Sequence, residues 1–239
     1  GGTTADVGML IDGFPRHAGS EVEIGGVRTN FRMPDVLPIG LGGGSIVRNE
    51  GKIIGPDSVG HDLVNQGLIF GGKIKTASDI GIAAKLINFG NPDLVNLEKS
   101  FVNNALSTIR LMLTEAIDQI KTSADPLPLI AVGGGAFLVP NDLPGITEVV
   151  KPPHSGVANA VGAALAQVGG ESEILYSGSG DNRSEAHRTV KQKAKQKAIS
   201  MGADPDSLEI ISVEETTLAY MADGSIKVKA KAIGDLKIK

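Results

Sequence analysis

The run Ile39–Val47, I-G-L-G-G-G-S-I-V, carries three consecutive glycines, Gly42, Gly43 and Gly44, closed by Ser45. Glycine reaches backbone angles that other residues avoid, so successive N–H groups in such a run can converge on one concavity. A phosphate, a carboxylate or a substrate amide would suit it; the same residues also read as a tight strand-to-strand turn. A second glycine signal opens the chain, Gly1-Gly2-Thr3-Thr4-Ala5-Asp6. There the two glycines free the backbone and the threonine hydroxyls can donate to anionic oxygens. Asp6 can hold a metal-bound water or a hydroxyl. The plainer reading is a hairpin turn with a capping aspartate. A third signal, Gly133-Gly134-Gly135, follows the short apolar run Leu129–Val132 and precedes a helix-like start. A strand that ends in glycines before a helical turn is a favourable place for a nucleotide or phosphate to lie against backbone. The spacing is not G-x-G-x-x-G, and G-x-x-x-x-G-K-[ST] occurs nowhere, which argues against those two nucleotide classes.

Other chemistry-bearing residues are sparser. Asp57, Ser58 and His61 fall within five positions and could supply metal ligands or a general base, or simply form a solvated loop. His154 precedes a helix start and could meet a ligand, although a loop histidine is ordinary. No nucleophilic triad and no H-E-x-x-H is present, so the catalytic base and any metal ligands stay unassigned.

The elements that must position these residues follow from periodicity. Val7–Ile11 reads as a strand, and Glu21–Ile24 with Val27–Met33 as two strands turned by Gly25-Gly26. Pro34 and Pro38 keep the approach to the triple glycine extended, and Lys52–Ile54 leads into a loop over Gly55–His61. Thr76 with Asp79 three residues on marks a helix start, with the helix expected to reach Asn88 and end at Gly90. Asn91-Pro92-Asp93 marks a second start. Leu97, Phe101, Ala105, Ile109, Leu113, Ala116, Ile117 and Ile120 recur at helical spacing, predicting a long core-facing helix over Leu97–Lys121. Further strands are expected at Leu129–Val132 and Ile146–Val150, then an alanine-rich helix over Val157–Val168. From Gly169 the composition shifts. Glu173–Tyr176 reads as a strand and 183–201 as a helix with inner stripe Ala186, Val190, Ala194 and Ala198. Leu208–Val213, Thr217–Tyr220 and Ile226–Ile233 read as three strands of a half-exposed sheet. Arg188, Lys191, Lys193, Lys195 and Lys197 cover the rest of that helix, as a solvated face or an anion-facing stripe. Residues 1–170 are thus expected to form one lobe and 171–239 a small α+β appendage.

The totals narrow the classes. The 239 residues are 41% hydrophobic and 21% charged with a formal net charge of −4, ordinary for a globular protein and no argument for nucleic acid as the main partner. Cysteine is absent, which removes disulfides, thiolate nucleophiles and cysteine zinc sites and is compatible with a cytoplasmic location. No apolar run approaches the ~18–20 residues of a membrane span, so no membrane partner is expected. Glycine numbers 32 while aromatics are only 3%, so backbone-lined turns rather than aromatic pockets should dominate a site.

Five segments in order carry a resemblance: G-G-T-T-A-D-V-G, I-G-L-G-G-G-S-I-V, Ile54–Gly60, A-V-G-G-G-A and A-N-A-V-G-A-A. Together, over about Gly1–Gly170, the chain resembles the hydantoinase/oxoprolinase family, specifically its hydantoinase A-type subunit. It departs where the family often carries a polar residue before the triple glycine, here Leu37-Pro38, and at Gly60–Asn65, where the family often reads P-G-P-A-C-Y-G. The resemblance implies an α/β fold, one ribonuclease-H-like lobe of the two-lobed ATPase fold shared by actin, sugar kinases and heat-shock chaperones. It implies ATP and Mg, or another divalent metal, in a cleft. Gly1, Gly2, Thr3, Thr4 and the catalytic candidate Asp6 would form the second phosphate turn. Gly133, Gly134 and Gly135 would lie beneath the adenosine, with Gly42, Gly43, Gly44 and Ser45 also binding. The first phosphate turn and first lobe would precede residue 1, making this chain a C-terminal lobe inactive alone. The implied activity is ATP-dependent opening of a cyclic amide, a hydantoin or 5-oxoproline. The implied partners are that missing N-terminal lobe and a hydantoinase B-type subunit or a second copy. A kinase-like phosphotransferase lobe and a non-catalytic interaction module are the competing expectations.

Overall fold

The computed structural model describes residues 1–11, 13–18, 22–24, 27–29, 33–176, 182–218 and 225–237. Prolines and short apolar pairs keep the start of the chain extended. The strands are β1 (Ala5–Gly8), β2 (Leu10–Ile11), β3 (Phe14–Pro15), β4 (Val22–Ile24), β5 (Val27–Thr29) and β6 (Val36–Ile39). β1 pairs antiparallel with β6, placing Asp6 opposite Pro38, while β2–β3 and β4–β5 are local antiparallel pairs. The expected hairpin turn Gly25-Gly26 lies outside the described residues.

The triple glycine then leads into the antiparallel pair β7 (Ser45–Arg48) and β8 (Ile53–Ser58). β8 corrects the expected Gly55–His61 loop, since strand pairing continues through Ser58. The turn between β7 and β8 is held from outside. Asn49, Glu50 and Gly51 take successive left-handed φ values of 47°, 54° and 86°, an unfavourable conformation for Glu50. Asn104 Nδ2 donates to Glu50 O at 2.9 Å and Thr108 Oγ1 to Gly51 O at 3.0 Å. A Cβ on Gly51 would lie 2.4 Å from Phe101 O and 2.8 Å from Ala105 N, so the turn packs backbone to backbone on a helix.

After α1 (Leu63–Gln66), α2 (Ala77–Ala83) begins at the expected N-cap. Thr76 and Asp79 form a complete capping box, and the fully buried Asp79 carboxylate also accepts from Ile69 N at 2.9 Å. The helix stops well short of Asn88. Lys85 sits at a left-handed φ of 59°, with Leu86 N bonding Gly81 O at 2.8 Å and Lys85 N bonding Ile82 O at 2.9 Å. These two bonds make a Schellman termination with lysine at the position glycine usually fills. Asn91 caps only a single tight turn, Pro92–Leu94. α3 (Lys99–Ile120) matches the long-helix expectation and buries Ala105, Ile109, Leu113 and Ile117 against Leu41, Val47 and Ile54. β9 (Leu127–Ile130) and β10 (Ile146–Val150) pair in parallel, and α4 (Ala158–Ala164) ends before Val168 because that residue already belongs to the next strand.

Two compact units result, Gly1–Asn159 and Ala160–Lys239. In the second, β11 (Val168–Tyr176), α5 (Asn182–Ser200), β12 (Glu209–Thr217) and β13 (Ile226–Gly234) make an antiparallel sheet of order β11-β13-β12 covered by the helix. The expected separate strand Thr217–Tyr220 falls partly outside the described residues. Thr217 ends β12, Tyr220 lies outside the described residues, and β11 supplies the third strand. The alanine stripe works as expected: Val190, Ala194 and Ala198 are buried against Val228, Ala230 and Ala232. Alternation on β13 sends lysines to the other face, where Lys229 Nζ meets Glu171 Oε1 at 2.5 Å and Lys227 reaches Glu173 at 3.8 Å.

Two measurements check this packing. Gly51→Ala should lower the stability of the chain by roughly 2–4 kcal/mol in denaturant unfolding, combining left-handed strain with overpacking. Gly162→Ala, on α4 with no atom near its added methyl, should be neutral or stabilising by up to about 1 kcal/mol. The second concerns Glu215 on β12. Hydrogen bonds from Arg183 and then His187 hold its carboxyl down from its ordinary 4.5 to about 2. Its folded value lies below the unfolded one, so its contribution is complete above about 4.5 and is lost as pH falls through about 2. Glu215→Gln should therefore show less loss of unfolding midpoint than the unchanged chain between pH 4.5 and pH 2.

Candidate functional site

Two of the three glycine signals meet by direct hydrogen bonds. Gly43 N donates to Gly1 O at 3.1 Å and Gly44 N to Gly2 O at 2.7 Å. A Cβ on Gly42 would lie 2.6 Å from Gly2 C and from Thr3 N, a distance that only glycine permits. The third signal arrives at the same place: a Cβ on Gly135 would stand 3.2 Å from Gly1 O. Three stretches separated by some forty and ninety residues thus share one neighbourhood at the start of β1.

Within that neighbourhood the glycines divide by what their N–H groups do. Gly42 N donates to Ser45 Oγ at 2.8 Å, so together with Gly43 and Gly44 the whole triple run spends its donors inside the protein. Ser45 is fully buried, and its hydroxyl also reaches Gly40 O at 3.2 Å. Ser78, in the first turn of α2, grips Gly43 O through its N at 2.9 Å and its Oγ at 2.9 Å. Ser58 Oγ donates to Gly2 O at 3.4 Å and accepts from Gly60 N at 3.0 Å. The run Gly42–Ser45 is therefore a brace behind the Gly1–Thr4 turn.

The other two stretches leave donors unspent. Gly1, Gly2, Thr3 and Thr4 are exposed, and no group among the described residues accepts from the N–H of Gly2, Thr3 or Thr4. Gly134 N and Gly135 N are likewise without an acceptor there, while Gly133 N bonds Ser155 O at 2.6 Å. A Cβ on Gly2, Gly133 or Gly134 would meet nothing within 4 Å, so open space lies in front of them. Such free backbone donors beside open space fit a polyanion such as a nucleotide phosphate. Asp6 follows on β1, exposed, with its carboxylate beside this turn in sequence.

The weaker candidates fall elsewhere. Asp57 is held by Arg48 at 2.8 Å, Ser58 is used by the brace, and His61 is exposed. Asp62 beside it is kept below the usual carboxylate range by hydrogen bonds from Asn65 and Gln66. His154 is exposed at a left-handed φ of 61°. Among the described residues no three His, Cys, Asp or Glu side chains cluster as a metal site. Lys151, just past β10, donates to Val139 O at 2.6 Å, and burial pushes its ammonium pKa down.

Sequence reasoning missed Ser78 and the full reach of Asp79. The Thr76-x-x-Asp79 signature was the available signal for the helix start, but nothing in it showed that Ser78 would hold the glycine run.

Residues 1–91 match the family model described as hydantoinase/oxoprolinase. The first three of the five motif segments lie inside the match, and the last two lie beyond it. No curated protein matches the sequence. Among solved structures, an ATP-dependent caprolactamase from Pseudomonas jessenii is similar, with a TM-score of 0.63 and 15% identity over 99% of this chain. The match spans 46% of that protein, so the chain corresponds to about half its length. A likeness at that identity speaks for the mixed α/β fold.

The brace has a direct consequence. Gly42→Ala should cost about 1–3 kcal/mol by overpacking, whereas Gly134→Ala, with open space before it, should leave the unfolding midpoint nearly unchanged.

Proposed function

We propose that the chain is the C-terminal, ribonuclease-H-like lobe of an actin-like ATPase fold, working as an ATP-dependent hydrolase that opens a cyclic amide. The observation that carries this reading is the meeting of Gly1–Thr4 with Gly133–Gly135, both retaining unspent N–H groups before open space. The family-model match over residues 1–91 supports the hydantoin or 5-oxoproline class, and the caprolactamase likeness supports a cyclic amide hydrolysed at the expense of ATP. In this reading a first lobe completes the cleft, consistent with the chain matching about half of the caprolactamase. A hydantoinase B-type subunit or a second copy is the proposed assembly partner, and the cytoplasm the proposed location; among the described residues no helix is long and apolar enough to cross a membrane.

The residues divide the work by chemistry. The N–H groups of Gly2, Thr3 and Thr4, with the two threonine hydroxyls, hold anionic oxygens. Gly134 and Gly135 lie beneath the adenosine, where a side chain on Gly134 would occupy the ligand's space. ATP, when bound, supplies phosphorylation of the amide oxygen, which makes the carbonyl carbon open to water. Asp6 offers an exposed carboxylate to orient a hydrated Mg or the attacking water. Gly42–Ser45 acts only through the turn it supports.

The test is phosphate release from ATP by the full-length protein, with and without hydantoin, 5-oxoproline or caprolactam. At least one cyclic amide should stimulate release, with the opened amino acid appearing in equal amount, and Asp6→Asn should lower turnover about 100-fold or more. Phosphate transferred to the added compound without ring opening would favour a kinase-like lobe, and no stimulation by any cyclic amide would contradict the hydrolase reading.

A further inference from the structure

The second unit carries a concavity that the nucleotide reading does not use. It is a shallow hollow, widely open to solvent, of about 530 Å³, lined by Arg183, Ser184, His187, Arg188 and Lys191.

 All five residues lie on one face of α5, at the spacing of successive helical turns. Three of them are permanent cations, and no carboxylate is among them.

The wall of this concavity is fixed from beneath. Glu215 takes Arg183 in a two-pronged contact, Nε at 2.9 Å and Nη2 at 2.5 Å, and its Oε1 also meets His187 Nε2 at 2.5 Å. Tyr176 Oη adds a longer bond to the same oxygen at 3.4 Å. Glu215 is only 22% exposed, so these contacts hold Arg183 and His187 in place more firmly than a solvated pair would. The Arg183 Nη1 group takes no part in that contact and stays available. Arg188 meets only the exposed Glu185, at 3.4 Å, a pair of little strength. Lys191 has no partner among the described residues. On a chain of net charge −4, two carboxylates here face three permanent cations and an imidazole.

We propose that this concavity binds a small phosphorylated ligand, its phosphate held by Arg188, Lys191 and the Ser184 hydroxyl against the wall of Arg183 and His187 that Glu215 fixes. The local excess of positive charge favours an anion such as phosphate. Arginine offers it a planar pair of donors, lysine a mobile one, and serine a hydroxyl that either donates or accepts. The site is independent of the glycine turns and stands or falls apart from the hydrolase reading.

The experiment is calorimetric titration of the 239-residue chain with inorganic pyrophosphate at pH 7 and 0.15 M salt, without divalent metal. Saturable binding is expected at one site. Arg188→Ala with Lys191→Ala should weaken it at least tenfold while leaving the unfolding midpoint and helical signal unchanged. Lys193→Ala with Lys197→Ala removes the same charge from α5 outside the concavity and should have little effect. No saturable binding, or equal weakening by the two double variants, would overturn the proposal.

Discussion

The contact on which the candidate site depends is backbone against backbone, where Gly42–Gly44 lies along Gly1–Thr3. Two hydrogen bonds, Gly43 N to Gly1 O and Gly44 N to Gly2 O, join the stretches at a separation that leaves no room for a Cβ on Gly42. Glycine is costly in ordered structure because it loses more backbone freedom than any other residue. Here the cost is offset by fixing an exposed turn that has few side chains of its own to anchor it. The grip passes outward through Ser78 to the first turn of α2, and from Thr76 and the buried Asp79 to the segment at Ile69. A turn whose own N–H groups are left free is thus held by donors belonging to its neighbours.

This division of labour distinguishes glycine runs that look alike in sequence. Gly42–Gly44 and Gly133–Gly135 are both triple glycines after apolar residues, yet the first has every N–H donating within the protein. The second leaves the N–H groups of Gly134 and Gly135 unspent, with open space before Gly134. Periodicity could not separate them, because the difference lies in which carbonyls the fold brings opposite. The carbonyls facing Gly43 and Gly44 come from residues 42 positions earlier.

Local signals were legible where local physics decides the outcome. The α3 stripe, the Thr76 cap and the alanine face of α5 follow from helical spacing, and the structure places Ala105, Ile109, Val190 and Ala194 in the two cores. The end of α2 was hidden because its left-handed terminating residue is Lys85 rather than a glycine. The left-handed Glu50 was hidden for a similar reason: its turn is stabilised by Asn104 and Thr108, more than fifty residues away. In the second unit, the three-stranded sheet was expected, but its third strand proved to be β11, reaching back to Val168. Its pairing with β13 is a long-range choice that alternation alone does not reveal.

The most direct measurement is calorimetric titration of a non-hydrolysable ATP analogue with magnesium, comparing the full-length protein with its Gly134→Val variant. The expected result is saturable binding to the unchanged protein, weakened at least tenfold by the variant with no change in unfolding midpoint. Equal binding by both would contradict the placement of a nucleotide against Gly133–Gly135, and no binding by either would reduce all three glycine stretches to structural turns.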